Sequence, residues 1–208
     1  NNHYKKEDAK YYKYAADAGH TESMFEYALM LDKGEVIDVN KKEAAKYYKT
    51  AADSGHLQSM FNYAILLYKG EGIEMNKKEA AKYFKTAADS GHTNSMLEYA
   101  IMLDEGEGLS VDKKEAAKYY KKAANSGNIN SMNIYAQKCD KGEGVKIDQK
   151  EAAKYFKKAA DLGHVQSMYE YASKLNKGEG VDINKREASK YYKKAADLGH
   201  IESMFEYA

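Results

Sequence analysis

The 208 residues carry 33 basic and 32 acidic side chains, and the net charge of +1 excludes a strong long-range attraction to nucleic acid or to an anionic membrane. Arg186 is the only arginine, which excludes recognition of phosphate or guanine by paired arginine forks. The longest apolar stretch, from Tyr63 to Tyr68, is far too short to cross a bilayer, so no membrane span is predicted.

The cysteine content points to a chain without disulfides. Cys139 is the only cysteine, which excludes an intrachain disulfide and fits a reducing compartment, so a cytoplasmic location is favoured. It stands where other repeats carry Leu31, Leu67, Leu103 and Leu175. We therefore expect Cys139 to be buried as a packing residue and not to act as a nucleophile.

A six-residue segment, Ala-Ala-Asp-Ala-Gly-His at 15–20, recurs every 36 residues along the chain. A fixed period of this length is typical of repeats that each bury their apolar face only against their neighbours. We predict one array over 1–208, and expect it to be a fragment of a longer chain because the last repeat is incomplete. The predicted repeats are 5–40, 41–76, 77–112, 113–148, 149–184 and a partial repeat at 185–208.

Each repeat contains signals for two helices. The first helix starts at a capping box, in which Asn40 is followed three residues later by Glu43. The same pair recurs as Asn76 with Glu79, Asp112 with Glu115, Asp148 with Glu151 and Asn184 with Glu187. Apolar residues follow at helical spacing over 44–52, Gly55 ends the helix, and a second helix is predicted from about Leu57 to Lys69. Because no segment alternates like a β-strand, the predicted fold class is all-α.

These patterns resemble the Sel1-like repeat family, which is related to the tetratricopeptide repeats. The matching residues in one repeat are Ala159–Gly163, Tyr171-Ala172, Leu175 and Gly178–Val181. The resemblance covers nearly the whole chain and implies a right-handed α-solenoid whose first helices line the concave face. It also implies a non-catalytic role as an adaptor or scaffold for other proteins. The chain departs from the members that carry a disulfide in every repeat, and Val36 replaces the second loop glycine in repeat 1.

Two recurring motifs suggest chemistry at first sight but have structural explanations. Histidines at one repeat position lie about one helix layer apart, too far to share a zinc ion, and Asn128 replaces them in repeat 4. We expect them to start the second helices, with weak pH sensitivity as the remaining functional role. The Gly-Glu-Gly loops lack the lysine of a phosphate-binding loop. No nucleophile–base grouping departs from the repeat, so we predict no enzyme activity, metal or cofactor.

The polar face of the first helices is the main predicted binding surface. Lys42, Lys46 and Lys49 lie within about 60° of one another on a helical wheel, whereas acidic residues concentrate on second helices and loops. Such lysines either only solvate the helix or form a surface for an acidic peptide or protein. Nucleic acid is disfavoured because Tyr47 and Tyr48 fall on the apolar face. The candidate binding residues are Lys46, Lys49, Lys82, Lys85, Lys118, Lys121, Lys154 and Lys157.

One flank of the second helix changes chemistry along the chain. Repeats 1 to 3 carry Met30, Leu66 and Met102 at a position where the next two repeats carry Lys138 and Lys174. A position needed only for stacking is not expected to become charged. The three apolar residues are therefore predicted to be partly accessible and to form an interaction strip, with burial against neighbouring helices as the alternative.

Two functions from different classes follow. The first is a non-catalytic adaptor that binds an acidic partner on its lysine-lined face. The second is a structural component of a longer fibre or an end-to-end assembly, because neither end carries a polar capping helix. Possible partners are accordingly a protein, a peptide or a second copy of the chain.

Overall fold

The structure is a computed structural model that describes the backbone from residue 2 and the side chains from residue 7. The described residues form twelve helices and no strands, in agreement with the predicted all-α fold of helix-turn-helix repeats. The helices are α1 (Asn2–Asp17), α2 (Thr21–Lys33), α3 (Lys41–Asp53), α4 (Leu57–Lys69), α5 (Lys77–Asp89), α6 (Thr93–Glu105), α7 (Lys113–Asn125), α8 (Ile129–Lys141), α9 (Gln149–Asp161), α10 (Val165–Lys177), α11 (Lys185–Asp197) and α12 (Ile201–Tyr207).

The chain divides into two compact units, residues 1–110 and 111–208. The first unit contains α1 to α6 and the second contains α7 to α12. Within each unit every helix packs against the next one along the chain. Each unit is therefore built of three helix pairs, in which an odd-numbered first helix is followed by an even-numbered second helix. The prediction of one array over 1–208 stays a prediction.

The first helices begin at the predicted capping boxes. In α3 the Asn40 Oδ1 accepts a hydrogen bond from the Glu43 amide at 3.0 Å, and the Asn40 Nδ2 donates to the Glu43 carboxylate at 3.1 Å. Ala44, Tyr48 and Ala51 then lie on the buried face of the helix. The small alanines let neighbouring helices approach closely, while the aromatic ring fills the space that remains.

The second helices begin at the repeated histidine, as expected. The His56 Nδ1 accepts a hydrogen bond from the Ser59 amide at 3.2 Å, and the same contact recurs at His20, His92, His164 and His200. In α8 the Asn128 Oδ1 takes this role and accepts from the Ser131 amide at 2.8 Å. Both side chains place an acceptor over an unpaired amide of the first turn, so the position requires an N-cap and not a metal ligand.

The hydrophobic core runs along the interface between first and second helices. Tyr27 and Tyr47 meet edge to face with their ring centroids 5.1 Å apart, and equivalent tyrosine pairs recur in later repeats. Edge-to-face contact is the favoured arrangement of two aromatic rings. Cys139 is buried with 2% exposure, which confirms its expected packing role.

The expected apolar strip is not on the surface. Leu66 and Met102 retain only 2% and 1% exposure, so the prediction that they are accessible is wrong and the burial alternative holds; Met30 is half-buried. Lys138 and Lys174, at the same repeat position, are also buried with 3% exposure. The inference failed because a lysine can be buried where carboxylates and aromatic faces surround it, so a change from apolar to charged does not report exposure.

Candidate functional site

The predicted lysines all lie on the first helices and reach solvent. Lys121 and Lys157 are half-buried and the other six are exposed. They form two sets at different helix positions. The ridge lysines are Lys46, Lys82, Lys118, Lys154 and, in the last first helix, Lys190; the flanking lysines are Lys13, Lys49, Lys85, Lys121, Lys157 and Lys193.

The flanking lysines are engaged in ion pairs within the protein. The Lys49 Nζ lies 2.6 Å from the Asp53 carboxylate one turn later, and that carboxylate also accepts a hydrogen bond from the Tyr83 hydroxyl of the next repeat at 2.8 Å. The bond from Lys49 lowers the pKa of Asp53 below its usual value. The lysine–aspartate pair recurs in other first helices with the lysines Lys13, Lys85, Lys157 and Lys193.

Repeat 4 departs from this arrangement. Asn125 replaces the aspartate, and the Lys121 Nζ instead lies 3.1 Å from a carboxylate oxygen of Glu151 in the next repeat. The Tyr155 hydroxyl still donates to the Asn125 side chain at 2.6 Å, so the bond between repeats is kept. The flanking lysines therefore contribute to stacking, and little of their charge is left for a partner.

The ridge lysines divide into two groups. Lys118 and Lys154 pair with Glu115 and Glu151 at 2.6 and 3.1 Å. Within the described part of the chain, Lys46, Lys82 and Lys190 have no carboxylate within 4.0 Å. Of the predicted binding residues, only Lys46 and Lys82 thus combine full exposure with an unpaired charge.

Two kinds of groove recur on either side of the ridge lysines. The loop-side groove in repeat 2 has a volume of about 590 Å³, and its equivalent in repeat 1 has about 400 Å³. Ala45, Tyr63 and Ile73 line the first of these, with Lys46 on its rim. Because an apolar floor lies beside an ammonium group, this groove suits an apolar side chain that is followed by a carboxylate.

The repeat-side groove lies between consecutive first helices. One copy, about 610 Å³, is lined by Ala52, Met60 and Tyr83 together with Lys78 and Lys82. Smaller copies occur at residues 40–50 and 184–194, with volumes of about 370 and 400 Å³. Lys46 lines both kinds of groove. The ridge lysines therefore stand where a bound peptide would pass from one groove to the next.

A column of exposed aliphatic residues is a feature that the sequence reasoning missed. One residue with 56–65% exposure precedes the N-cap of each first helix from α3 onward: Val39, Met75, Val111, Ile147 and Ile183. Met75 packs closely beside Gly70, a glycine of the loop-side groove, since a Cβ added at that glycine would lie only 3.0 Å from the Met75 Cβ. The recurrence of one aliphatic residue just before each Asn or Asp cap was the available signal. These residues enlarge the apolar surface beside the grooves.

Other kinds of site find no support in the described residues. No group of three or more His, Cys, Asp or Glu side chains from residue 7 onward is placed to hold a metal ion. Over the same part of the chain, no helix combines the length and the apolar character needed to span a membrane.

The chain matches known proteins along nearly its whole length. The Sel1 repeat model matches residues 9–20, 21–56, 57–92, 93–128, 130–164 and 165–200. No curated protein sequence matches significantly. Among solved structures, c5321, a protective antigen of uropathogenic Escherichia coli with an SLR fold, aligns with a TM-score of 0.91 and 26% identity; the match covers 95% of this chain and 42% of that one.

Two further structures are similar. A Sel1 repeat protein from Oxalobacter formigenes aligns with a TM-score of 0.76 and 28% identity over 90% of this chain and 74% of that one. The cysteine-rich protein B of Helicobacter pylori aligns with a TM-score of 0.50 and 26% identity over 62% of this chain and 95% of that one. This chain therefore belongs to the Sel1 repeat family, whose all-α solenoids of about 36-residue repeats are generally non-catalytic and commonly serve as scaffolds for protein interactions.

Proposed function

We propose that this chain is a non-catalytic scaffold that binds an acidic peptide, or an acidic segment of a protein, along the ridge lysines of its first helices. The observation that carries the proposal is that Lys46 and Lys82 are exposed, lack a carboxylate within 4.0 Å in the described part of the chain, and line grooves with apolar floors. The carboxylates of an acidic partner would pair with these lysines, and its apolar side chains would fill the grooves.

The carboxylates that line the repeat-side groove do not cancel this charge. Asp53 is already paired with Lys49, and the remaining carboxylate, Glu79, faces two lysines of the groove lining, Lys78 and Lys82. The unmatched charge at the groove is therefore positive. An exposed lysine–carboxylate pair is worth up to about 1 kcal/mol. The ridge lysines therefore supply part of the affinity, and burial of the partner's apolar side chains in the grooves supplies the rest.

Charge reversal on the ridge tests this function. The probe is a fluorescein-labelled glutamate-rich peptide with interspersed leucines, and its dissociation constant is measured by fluorescence anisotropy across a salt series. We expect Lys46→Glu with Lys82→Glu to weaken binding at least about tenfold and to flatten the salt dependence, because two attractions become repulsions.

The matched control is Lys141→Glu with Lys177→Glu, which makes the same change in net charge at exposed ends of second helices. It should change the dissociation constant less than about twofold, because these lysines line none of the grooves beside Lys46 and Lys82. Equal effects of the two double variants would mean that net charge alone controls the binding. No effect of the ridge double variant would contradict the proposal.

End-to-end association is a second candidate function, because stacking of one copy on another would cover aromatic side chains of α1 and α12 that are exposed in the described chain. The ring centroid of Phe25 lies 5.0 Å from that of His56 in the following repeat, whereas Phe205, at the same repeat position in α12, is 78% exposed. Tyr11 is 74% exposed at the position from which Tyr83 donates to the preceding repeat. An α1 of one copy stacked on the α12 of another would complete both contacts.

Sedimentation velocity over a range of concentrations tests this second function. We expect the wild-type sedimentation coefficient to rise with concentration and Phe205→Glu to abolish the rise. Leu162→Glu, at an exposed apolar residue outside α12, is the control and should leave the sedimentation coefficient unchanged. A wild-type chain that stays monomeric throughout would contradict self-association.

A further inference from the structure

The pairing of each ridge lysine follows the identity of the N-cap of its own helix. Helices capped by asparagine, at Asn40, Asn76 and Asn184, carry the ridge lysines without a carboxylate partner. Helices capped by aspartate, at Asp112 and Asp148, carry ridge lysines paired with the glutamate three residues earlier. The correlation holds in all five capped first helices, α3 to α11.

The cause is the hydrogen-bonding capacity of the cap. An asparagine side chain has both an acceptor and donors, so it accepts from the glutamate amide and also donates to the glutamate carboxylate. The second bond is present at 3.1 Å in Asn40, Asn76 and Asn184. An aspartate cap still accepts from the amide, at 2.9 Å in Asp112 and Asp148, but it has no donor and repels the carboxylate.

The freed glutamate then turns toward the lysine three residues along the helix. Residues three apart lie on the same helix face, so the contact needs no change of backbone. The Glu115 carboxylate is 2.6 Å from the Lys118 Nζ and raises the pKa of that lysine above its usual value. Glu151 similarly meets Lys154, and it also accepts from Lys121 of the preceding repeat.

We propose that the N-cap residues decide where on this surface an acidic partner binds. The asparagine-capped repeats offer their ridge lysines to the partner's carboxylates, and the aspartate-capped repeats withhold theirs. The partner therefore occupies Lys46 and Lys82 in preference to Lys118 and Lys154. Asn40 and Asn76 are positioning residues, because they act through Glu43 and Glu79 and need not touch the partner.

The size of the effect is bounded by the strength of exposed ion pairs. The Lys118 and Glu115 side chains are 59% and 37% exposed, and pairs of this kind are worth up to about 1 kcal/mol, or roughly fivefold in an equilibrium. A partner must break the pair before it binds the lysine. Each withheld lysine should thus lower the affinity by about two- to fivefold.

Amine labelling tests the effect of the caps without any partner. An amine-reactive acetylating reagent is applied to the full chain, and the rate at each lysine is read by mass spectrometry. A paired ammonium gives less free amine, so we expect Lys46 and Lys82 to react about two- to fivefold faster than Lys118 and Lys154. Asn40→Gly should slow Lys46 and leave Lys82 unchanged, because glycine is tolerated at an N-cap but has no side-chain donor to hold Glu43.

Position 112 separates the hydrogen bond from the charge. Asp112→Asn supplies the amide donor, whereas Asp112→Gly removes the same charge without supplying any side-chain donor. We expect Asp112→Asn to speed the labelling of Lys118 toward the rate of Lys46, and Asp112→Gly to leave it close to wild type. Equal acceleration in the two variants would overturn the proposal, because charge and not the donor would then control the lysine.

The binding half of the inference rests on the proposed function, and the same peptide probe tests it. Asn40→Gly with Asn76→Gly should weaken peptide binding about four- to twenty-five-fold, while Asp112→Asn with Asp148→Asn should strengthen it. Thermal melting serves as the control for folding, since glycine is tolerated at the N-cap. An unchanged affinity in the glycine pair overturns the binding preference. A wild-type chain that fails to bind the probe contradicts the proposed function instead, and the labelling result still decides whether the caps control the lysines.

Discussion

The two compact units use one buried repeat position in opposite ways. In the first unit the position is Leu66 with 2% exposure, and in the second it is Lys174 with 3% exposure. The first residue of the preceding first helix changes as well, from Lys41 to Gln149. In repeat 2 a buried leucine thus accompanies a lysine at the helix start, and in repeat 5 a buried lysine accompanies a neutral glutamine, whereas repeat 4 combines Lys113 with the buried Lys138.

The contacts explain why the two changes occur together. In the first unit the Lys41 Nζ lies 3.4 Å from the Asp32 carboxylate and also contacts Glu71. In the second unit the Lys174 Nζ lies 2.5 Å from the Asp140 carboxylate and 2.7 Å from the Gln149 side-chain oxygen. In both repeats one lysine pairs with the aspartate, and this lysine comes from the first helix in one repeat and from the second helix in the other. The ammonium that pairs with this aspartate therefore belongs to the local network of contacts and not to the surface.

The largest effect is expected when the first unit receives a second cation. Leu66→Lys buries a second ammonium beside Lys41, so that two cations share the Asp32 and Glu71 carboxylates, and should lower the free energy of unfolding by about 3 kcal/mol. Adding Lys41→Gln recreates the pair found in the second unit and should restore most of that loss. Urea denaturation of the two single variants and the double variant measures the coupling energy. A double variant no more stable than Leu66→Lys alone would contradict the idea that a single cation, supplied by either helix, pairs with the aspartate.

A smaller effect is expected from removing the carboxylate in each unit. Asp140→Asn leaves the 4%-exposed Lys174 side chain with Gln149 and with Glu179 at 4.0 Å, and should cost about 2 kcal/mol in the free energy of unfolding. Asp32→Asn is the matched change, but its partner Lys41 is 36% exposed and stays hydrated, so the cost should be below about 1 kcal/mol. Equal costs would mean that burial does not distinguish the two networks.

The smallest effect concerns the second-helix caps, where the first unit uses only histidine and the second also uses Asn128. Burial lowers the pKa of His92, so the unfolded chain binds the proton more readily than the folded one and stability falls as pH drops below about 6.5. Protonation also removes the Nδ1 acceptor from the Ser95 amide, a cap worth about 1 kcal/mol.

The variant His92→Asn copies the cap of repeat 4 and should flatten the dependence of unfolding free energy on pH between about 7.5 and 5.5. His92 faces Gln58 and the ring of Phe61. Neither neighbour is charged, so the titration of His92 itself should dominate the difference. Identical pH profiles for the variant and the wild type would contradict this assignment. Calorimetric or urea unfolding at several pH values provides the measurement.

The helices and their ends were predictable because they depend on contacts between residues close in sequence. Asn40 with Glu43, and the histidine at residue 56, each satisfy an amide three residues away, and a glycine in the left-handed conformation ends the second helix at Gly70. The exposure of the first-helix lysines followed from helical periodicity in the same way. The 36-residue period then set the order of helices along the chain.

The burial of Leu66 and Met102 could not be read in this way, because burial depends on which neighbouring helix covers a flank. The pairing of the ridge lysines is local, but only the structure revealed it: Lys118 and Lys46 occupy the same repeat position, yet only Lys118, whose helix has an aspartate cap, has a partner. The sequence by itself determined the repeat, the helices and their caps, since these arise from short-range hydrogen bonds and periodicity. Only the tertiary structure decided which charges are buried or shared between repeats, because those states depend on groups brought together by packing.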